Sequence, residues 1–162
     1  MPIINVQYGG VQPGQPIPHP PPNPVADLAG SGPRIPIAIA LHSTILQQLA
    51  LQGAPSSAVV TGFALIDTGA GITCIDIDAA TQLGAPIIDY VTMTSASHAG
   101  NVQPVYPLQL QIPGSPININ APRAVGFPLA ATQGIIALIG RDVLQFTVLV
   151  YNGSAGSISL SV

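Results

Sequence analysis

From residue 34 onward the apolar positions fall in short runs or alternate with a period near two, and Gly, Pro, Asn and Ser separate the runs. That is the signature of strands joined by turns. Residues 35–41 predict a strand, placed at a sheet edge because Pro36 has no N–H to offer a neighbour. Residues 43–51 predict a short helix that stops before Gly53, and residues 57–66 one long strand or two. Residues 77–83 suit one or two helical turns closed by Gly84 and Pro86. Residues 88–95 and 102–112 read as the arms of a hairpin whose tip is the small-residue run 97–101. Short strands follow at 117–121 and 123–126, then a buried strand at 135–139 and a short helix at 142–146. Residues 146–151 and 157–162 close the chain as a hairpin around Asn152-Gly153. The sum is an all-β chain with one to three short helices and no internal repeat.

Residues 9–33 break the pattern. Pro and Gly crowd there, above all in Pro16-Ile17-Pro18-His19-Pro20-Pro21-Pro22-Asn23-Pro24, where the missing N–H groups and fixed φ disfavour helix and central strand. A semi-rigid extended arm is expected. The organisation read from the sequence is therefore a Pro/Gly-rich extension over 1–33 and a folded domain over 34–162.

Charge narrows the function classes. Three Arg and six Asp are the fixed charges, with Lys and Glu absent, so the net charge is -3. No basic patch is available for a phosphate backbone, which argues against a nucleic-acid partner. Polar residues, Gly or Pro cut every apolar run before the roughly 18 residues a membrane span needs. The first eight residues lack the n-region and apolar h-region of a secretory signal, so a cytoplasmic location is the expectation. Cys74 is the single cysteine, which excludes an intrachain disulfide and suits a reducing compartment. His19, His42 and His98 are far apart, and no metal-ligand spacing is present.

The candidate chemistry lies in Phe63-Ala64-Leu65-Ile66-Asp67-Thr68-Gly69-Ala70, where a carboxylate follows an apolar strand and is followed by a hydroxyl and a glycine. A carboxylate at the end of a buried strand needs hydrogen bonds, and a glycine two residues on lets backbone N–H groups approach it. The later run Ile136-Ala137-Leu138-Ile139-Gly140-Arg141-Asp142 puts an apolar strand directly before Gly-Arg-Asp. Together with the hairpin between them, these two segments resemble the retropepsin-like aspartic peptidases over residues 34–162, with Asp-Thr-Gly-Ala in the place of the active-site motif.

The resemblance implies a closed β-barrel with a flap hairpin. It implies catalytic Asp67, Thr68 and Gly69, and substrate contacts from Ala70, from the flap residues Ser95, Ala96, Ser97, His98, Ala99 and Gly100, and from Leu138 and Ile139. Gly140, Arg141 and Asp142 would form the supporting structural motif, and His98 would be a solvated turn residue. Two carboxylates a few Å apart must share one proton. Asp27, Asp76, Asp78, Asp89 and Asp142 are not followed by Thr-Gly or Ser-Gly, so the second carboxylate is expected from Asp67 of another copy in a homodimer. The implied reaction is endopeptidase hydrolysis of an extended polypeptide by an activated water, without metal or cofactor. One position departs from the family. Gly71 stands where viral members carry a carboxylate that pairs with the Arg of the later motif, so Arg141 needs another partner, Asp76 or Asp142. The competing reading is a peptide-binding module of the same fold with little or no proteolytic activity.

Overall fold

The computed structural model describes residues 2–10, 15, 16, 18, 20–53, 58–95 and 98–161, and for residues 94, 95, 98 and 99 the backbone alone. In chain order the first elements are β1 (Ile3–Gln7), α1 (Pro24–Ser31), β2 (Arg34–Leu41), α2 (Ser43–Leu51), β3 (Val60–Ile66), β4 (Cys74–Asp76) and α3 (Ile77–Gln82). Then come β5 (Asp89–Ser95), β6 (His98–Gln111), β7 (Asn118–Phe127), α4 (Leu129–Gln133), β8 (Ala137–Ile139), α5 (Arg141–Leu144), β9 (Val148–Asn152) and β10 (Ser157–Ser161). Strand dominates because β-branched residues are frequent and the strong helix formers Lys and Glu are absent, and the helices run from four to nine residues.

Seven strands share one sheet in the order β2-β3-β8-β4-β7-β6-β5, and a further pairing of β2 with β6, from Ala38↔Gln111 to Leu41↔Leu108, closes it on itself. β2 is therefore not an edge strand. Pro36 lies opposite Phe63 on the stretch that β3 alone flanks, so its missing N–H leaves no second ladder incomplete. Ile35, Ile37 and Ile39 of β2 meet Leu108, Leu110 and Ile139 inside the ring, each at most 1% exposed. Each such side chain contributes about 1.5–3 kcal/mol through burial.

The two short strands expected at 117–121 and 123–126 are one strand, β7. Its register against β6 shifts between Tyr106↔Ala124 and Leu108↔Ala121, so Pro122 and Arg123 together oppose Pro107. Prolines on both sides remove ladder donors, and the extra residue bulges without ending the strand. The hairpin also runs further than its composition suggests. β5 and β6 stay paired to Ser95↔His98, and Gly100, at φ 70, takes up the register shift after Met93↔Asn101. His98, Ala99, Gly100 and Asn101 are thus strand and not turn, while Ala96 and Ser97 lie outside the described residues.

A second sheet, β1-β10-β9, joins the two ends of the chain. β10 sits in its centre, with Ile158 and Leu160 facing the core and both backbone edges already paired. Residues 24–31 are helical where an extended arm is expected. Asn23 explains the difference: its Oδ1 accepts the N–H groups of Val25 and Ala26, and Pro24 occupies the first turn, where a missing N–H has no helical partner to lose. Gly156, at φ 62, packs so tightly on Pro24 that a Cβ there would stand 2.3 Å from its carbonyl carbon.

Candidate active site

β3 and β8 run parallel, pairing Ala64↔Ala137, Leu65↔Leu138 and Ile66↔Ile139, so their C-terminal ends emerge side by side. This brings together two segments some seventy residues apart in sequence, the loop opened by Asp67 and the start of α5. Asp67 continues the ladder by donating its N–H to the Ile139 carbonyl at 3.0 Å. Its half-buried side chain then turns back on its own loop. Oδ1 accepts the N–H groups of Gly69 at 2.7 Å and of Ala70 at 3.3 Å, while Oδ2 has no hydrogen-bond partner among the described residues. One oxygen is fixed and the other is presented. A Cβ on Gly69 would stand 3.0 Å from Oδ1, so the approach depends on glycine.

The partner of Arg141 is neither of the expected carboxylates. Its Nη1 donates to the carbonyls of Thr68 and Gly69, at 2.8 and 2.9 Å, and its backbone N–H to the carbonyl of Ala70 at 2.9 Å. The guanidinium fixes the Asp67 loop through main-chain oxygens, a use of Arg that needs no acid in the sequence. Asp142 holds the other end of the loop. Its carboxylate accepts Thr73 N–H at 3.0 Å and the Thr73 hydroxyl at 2.7 Å, and also accepts Val143 N–H within its own helix at 3.0 Å. Thr73 Oγ1 in turn accepts Gly140 N–H at 3.1 Å. Gly140 lies so close that a Cβ would meet the Ile72 backbone at 2.6 Å, which leaves no room for any other residue.

Of the two buried polar residues of this region, sequence reasoning did not single out Thr73 and offered Asp76 only as a partner for Arg141. Asp76 caps α3 through Ala79 N–H, at 3.0 Å, and reaches Ala130 N–H of α4 at 2.8 Å. A carboxylate just before a helical run is a cap signal that the sequence did carry. Cys74, between them, has its thiol pushed up to about 11, first by burial and then by the charges of Asp142 and Asp67. It is held as a neutral thiol and is no candidate nucleophile.

The remaining candidates divide by burial. Ala70 and Leu138 are half-buried, whereas Ile139 is 1% exposed and meets Asp67 through its carbonyl. Gly100 is exposed on the hairpin, and Ser95, His98 and Ala99 are placed there by backbone pairing. Beyond the loop, a cavity of about 250 Å³ opens between Ile72 and Asp142 on one side and Val91, Val105, Val125 and Arg123 of the β5-β6-β7 face on the other. Among the described residues no group of three or more His, Cys, Asp or Glu side chains is placed to hold a metal ion. No helix of the described residues is long and apolar enough to cross a membrane.

No protein-family model and no curated protein matches this chain. Solved structures similar to it include the foamy viral protease-reverse transcriptase in complex with RNA/DNA hybrid, at 16% identity and TM-score 0.42 over 72% of this chain and 13% of that one. They also include a retropepsin-like aspartic protease from Rickettsia conorii, at 13% identity and TM-score 0.40, covering 79% of this chain and 91% of that one. This chain therefore spans 13% of the length of the foamy viral polypeptide. The sheet is closed by the β2–β6 pairing, and β5 and β6 form a hairpin. The fold is all-β, a closed seven-stranded sheet beside a three-stranded one, with short helices. Within it, Asp67 occupies the loop after β3, and Arg141 and Asp142 brace that loop from the start of α5.

Proposed function

We propose that this chain is one subunit of a homodimeric aspartic endopeptidase in which Asp67 and the Asp67 of a second copy form the catalytic pair. The observation that carries the reading is the split environment of the Asp67 carboxylate, with Oδ1 anchored by two backbone N–H groups and Oδ2 open. A structural carboxylate closing a turn would commit both oxygens, as Asp76 and Asp142 do. An acid that handles a proton needs one oxygen fixed for orientation and one presented to water.

In the reaction that follows, one Asp67 is ionised and takes a proton from a water held between the pair. That water attacks the peptide carbonyl, while the protonated Asp67 donates a hydrogen bond to the carbonyl oxygen and later helps protonate the leaving amine. Thr68 and Gly69 hold the loop, and the β5-β6 hairpin closes over an extended substrate and excludes water. Ala70 and Leu138 flank the bound chain, with Ile139 supporting Asp67 from behind. The preferred targets are extended, mainly apolar segments, because apolar side chains line the cavity next to the loop.

The test is Asp67→Asn, which keeps the volume and removes the shared-proton chemistry. Incubation with a mixed denatured-protein substrate between pH ~4 and ~7, the range over which coupled carboxylates ionise, should show cleavage by the parent that a statine inhibitor blocks and that the variant lacks. Cleavage by the variant at the parental rate removes Asp67 from the mechanism. Sedimentation of an active sample as a strict monomer removes the pair.

A further inference from the structure

Arg123 is the unabsorbed charge of this molecule. Of the three arginines, Arg141 is committed to loop carbonyls and Arg34 donates its Nε to the Ser31 carbonyl at 2.9 Å. Arg123 makes one ion pair, Nη2 to Asp89 Oδ2 at 2.6 Å, and its side chain is still 56% exposed. It stands on the bulge of β7, at the junction of two adjoining cavities. The first is the apolar space beside Ile72; the second, of about 440 Å³, continues past Pro122 and Val143 to Phe146, which is 73% exposed. Arg123 and Asp142 line both.

The acids nearby do not close this site to an anion. Asp142 faces the same space, but its two oxygens already accept three donors and its charge is directed into the loop. Asp89 holds a single guanidinium nitrogen and spends its other oxygen on Tyr90 N–H, so among the described residues Nε and Nη1 of Arg123 remain to donate. A planar guanidinium with two donors unused, flanked by apolar walls, is built to take a carboxylate carried on an extended apolar chain.

We propose that Arg123 is a specificity-determining residue, receiving an Asp or Glu side chain of the polypeptide substrate on the Ile72 side of the cleft, so that apolar segments with an acidic flank are selected. This rests on the peptidase reading for its substrate but not for its measurement. One apolar peptide is made with Glu, Gln or Lys at each flanking position in turn. Its kcat/KM is measured with the parent chain and its Kd, by fluorescence anisotropy, on the Asp67→Asn background.

At one flanking position Glu should exceed Gln by about five- to tenfold, the size of a charge-assisted hydrogen bond at a half-exposed site, with Lys below both. Arg123→Gln should bring the Glu/Gln ratio to one, and Arg123→Lys should restore part of it. Asp89→Asn breaks the same ion pair while leaving the cation, so it should keep or raise the preference. If Arg123→Gln and Asp89→Asn change the ratio alike, Arg123 acts only by tying β5 to β7 and the proposal falls. It falls too if the ratio is one at every position in the parent chain. Acid preference in Kd without any cleavage overturns the peptidase reading and leaves Arg123 standing, and cleavage without preference does the reverse.

Discussion

Gly71→Asp should stabilise the protein, and its effect divides into two measurable parts. A Cβ on Gly71 would stand 3.7 Å from Arg141 Nη2, the nitrogen that the Thr68 and Gly69 carbonyls leave unused. Gly71 is not among the positive-φ glycines, so an L side chain fits its backbone. Removing glycine from the unfolded chain is worth about 0.4–1 kcal/mol. An exposed carboxylate–guanidinium pair adds about 0.2–1 kcal/mol. The sum, about 0.6–2 kcal/mol, corresponds to a Tm higher by roughly 1–8 °C for a chain of this size. Scanning calorimetry of the parent, Gly71→Ala and Gly71→Asp, each at ~0.05 M and ~1 M salt, separates the terms. The alanine variant should carry the backbone part at both salts, and the extra rise of the aspartate variant should vanish at high salt, where the Debye length is about 3 Å. Equal Tm values for the two variants at low salt would mean that Arg141 does not reach residue 71, and the account of how the loop is braced would fail.

Three further outcomes follow from the same geometry. Thr73→Val keeps the shape but strands the buried Gly140 N–H and removes one donor to Asp142, and should cost about 2–3 kcal/mol by urea unfolding, with Thr73→Ser recovering most of it. Asp76→Ala should lose two helix caps and about 2–3 kcal/mol, with Asp76→Asn falling between because one acceptor remains; equal stability of all three chains would refute the double cap. Cys74 carries a raised thiol pKa in the fold, so its contribution is complete below pH ~9 and is lost as pH climbs towards about 11. Relative to Cys74→Ala, the parent should lose on the order of 2 kcal/mol across that window, and parallel curves would refute it.

What the sequence disclosed was whatever depends on local pattern. The strand ending at Asp67, the glycine that lets its carboxylate be reached from behind, and the second apolar strand before Gly140 are all contiguous, and each is found where expected. Arg141 was misread because backbone carbonyls leave no trace in a list of side chains, so only the acids Asp76 and Asp142 offered themselves. Residues 3–7 and 24–31 were missed for a different reason. Proline density outweighs the local signal of Asn23 before Pro24, and the alternation of Ile4 and Val6 is too short to mark a strand by itself, although both match the observed cap and inward face. The role of Thr73 was beyond local reading, since its partners Gly140 and Asp142 lie 67 and 69 residues away.

The pairing of β1 with β10 couples two strands that are made far apart in time. Ile3 lies opposite Ser161, so during synthesis the opening strand waits for about 160 residues, roughly 8 to 30 s at ribosomal speed. Through that interval Ile4 and Val6 lack the strand that shelters them in the fold. It also means that a substitution that weakens β10 is felt at β1.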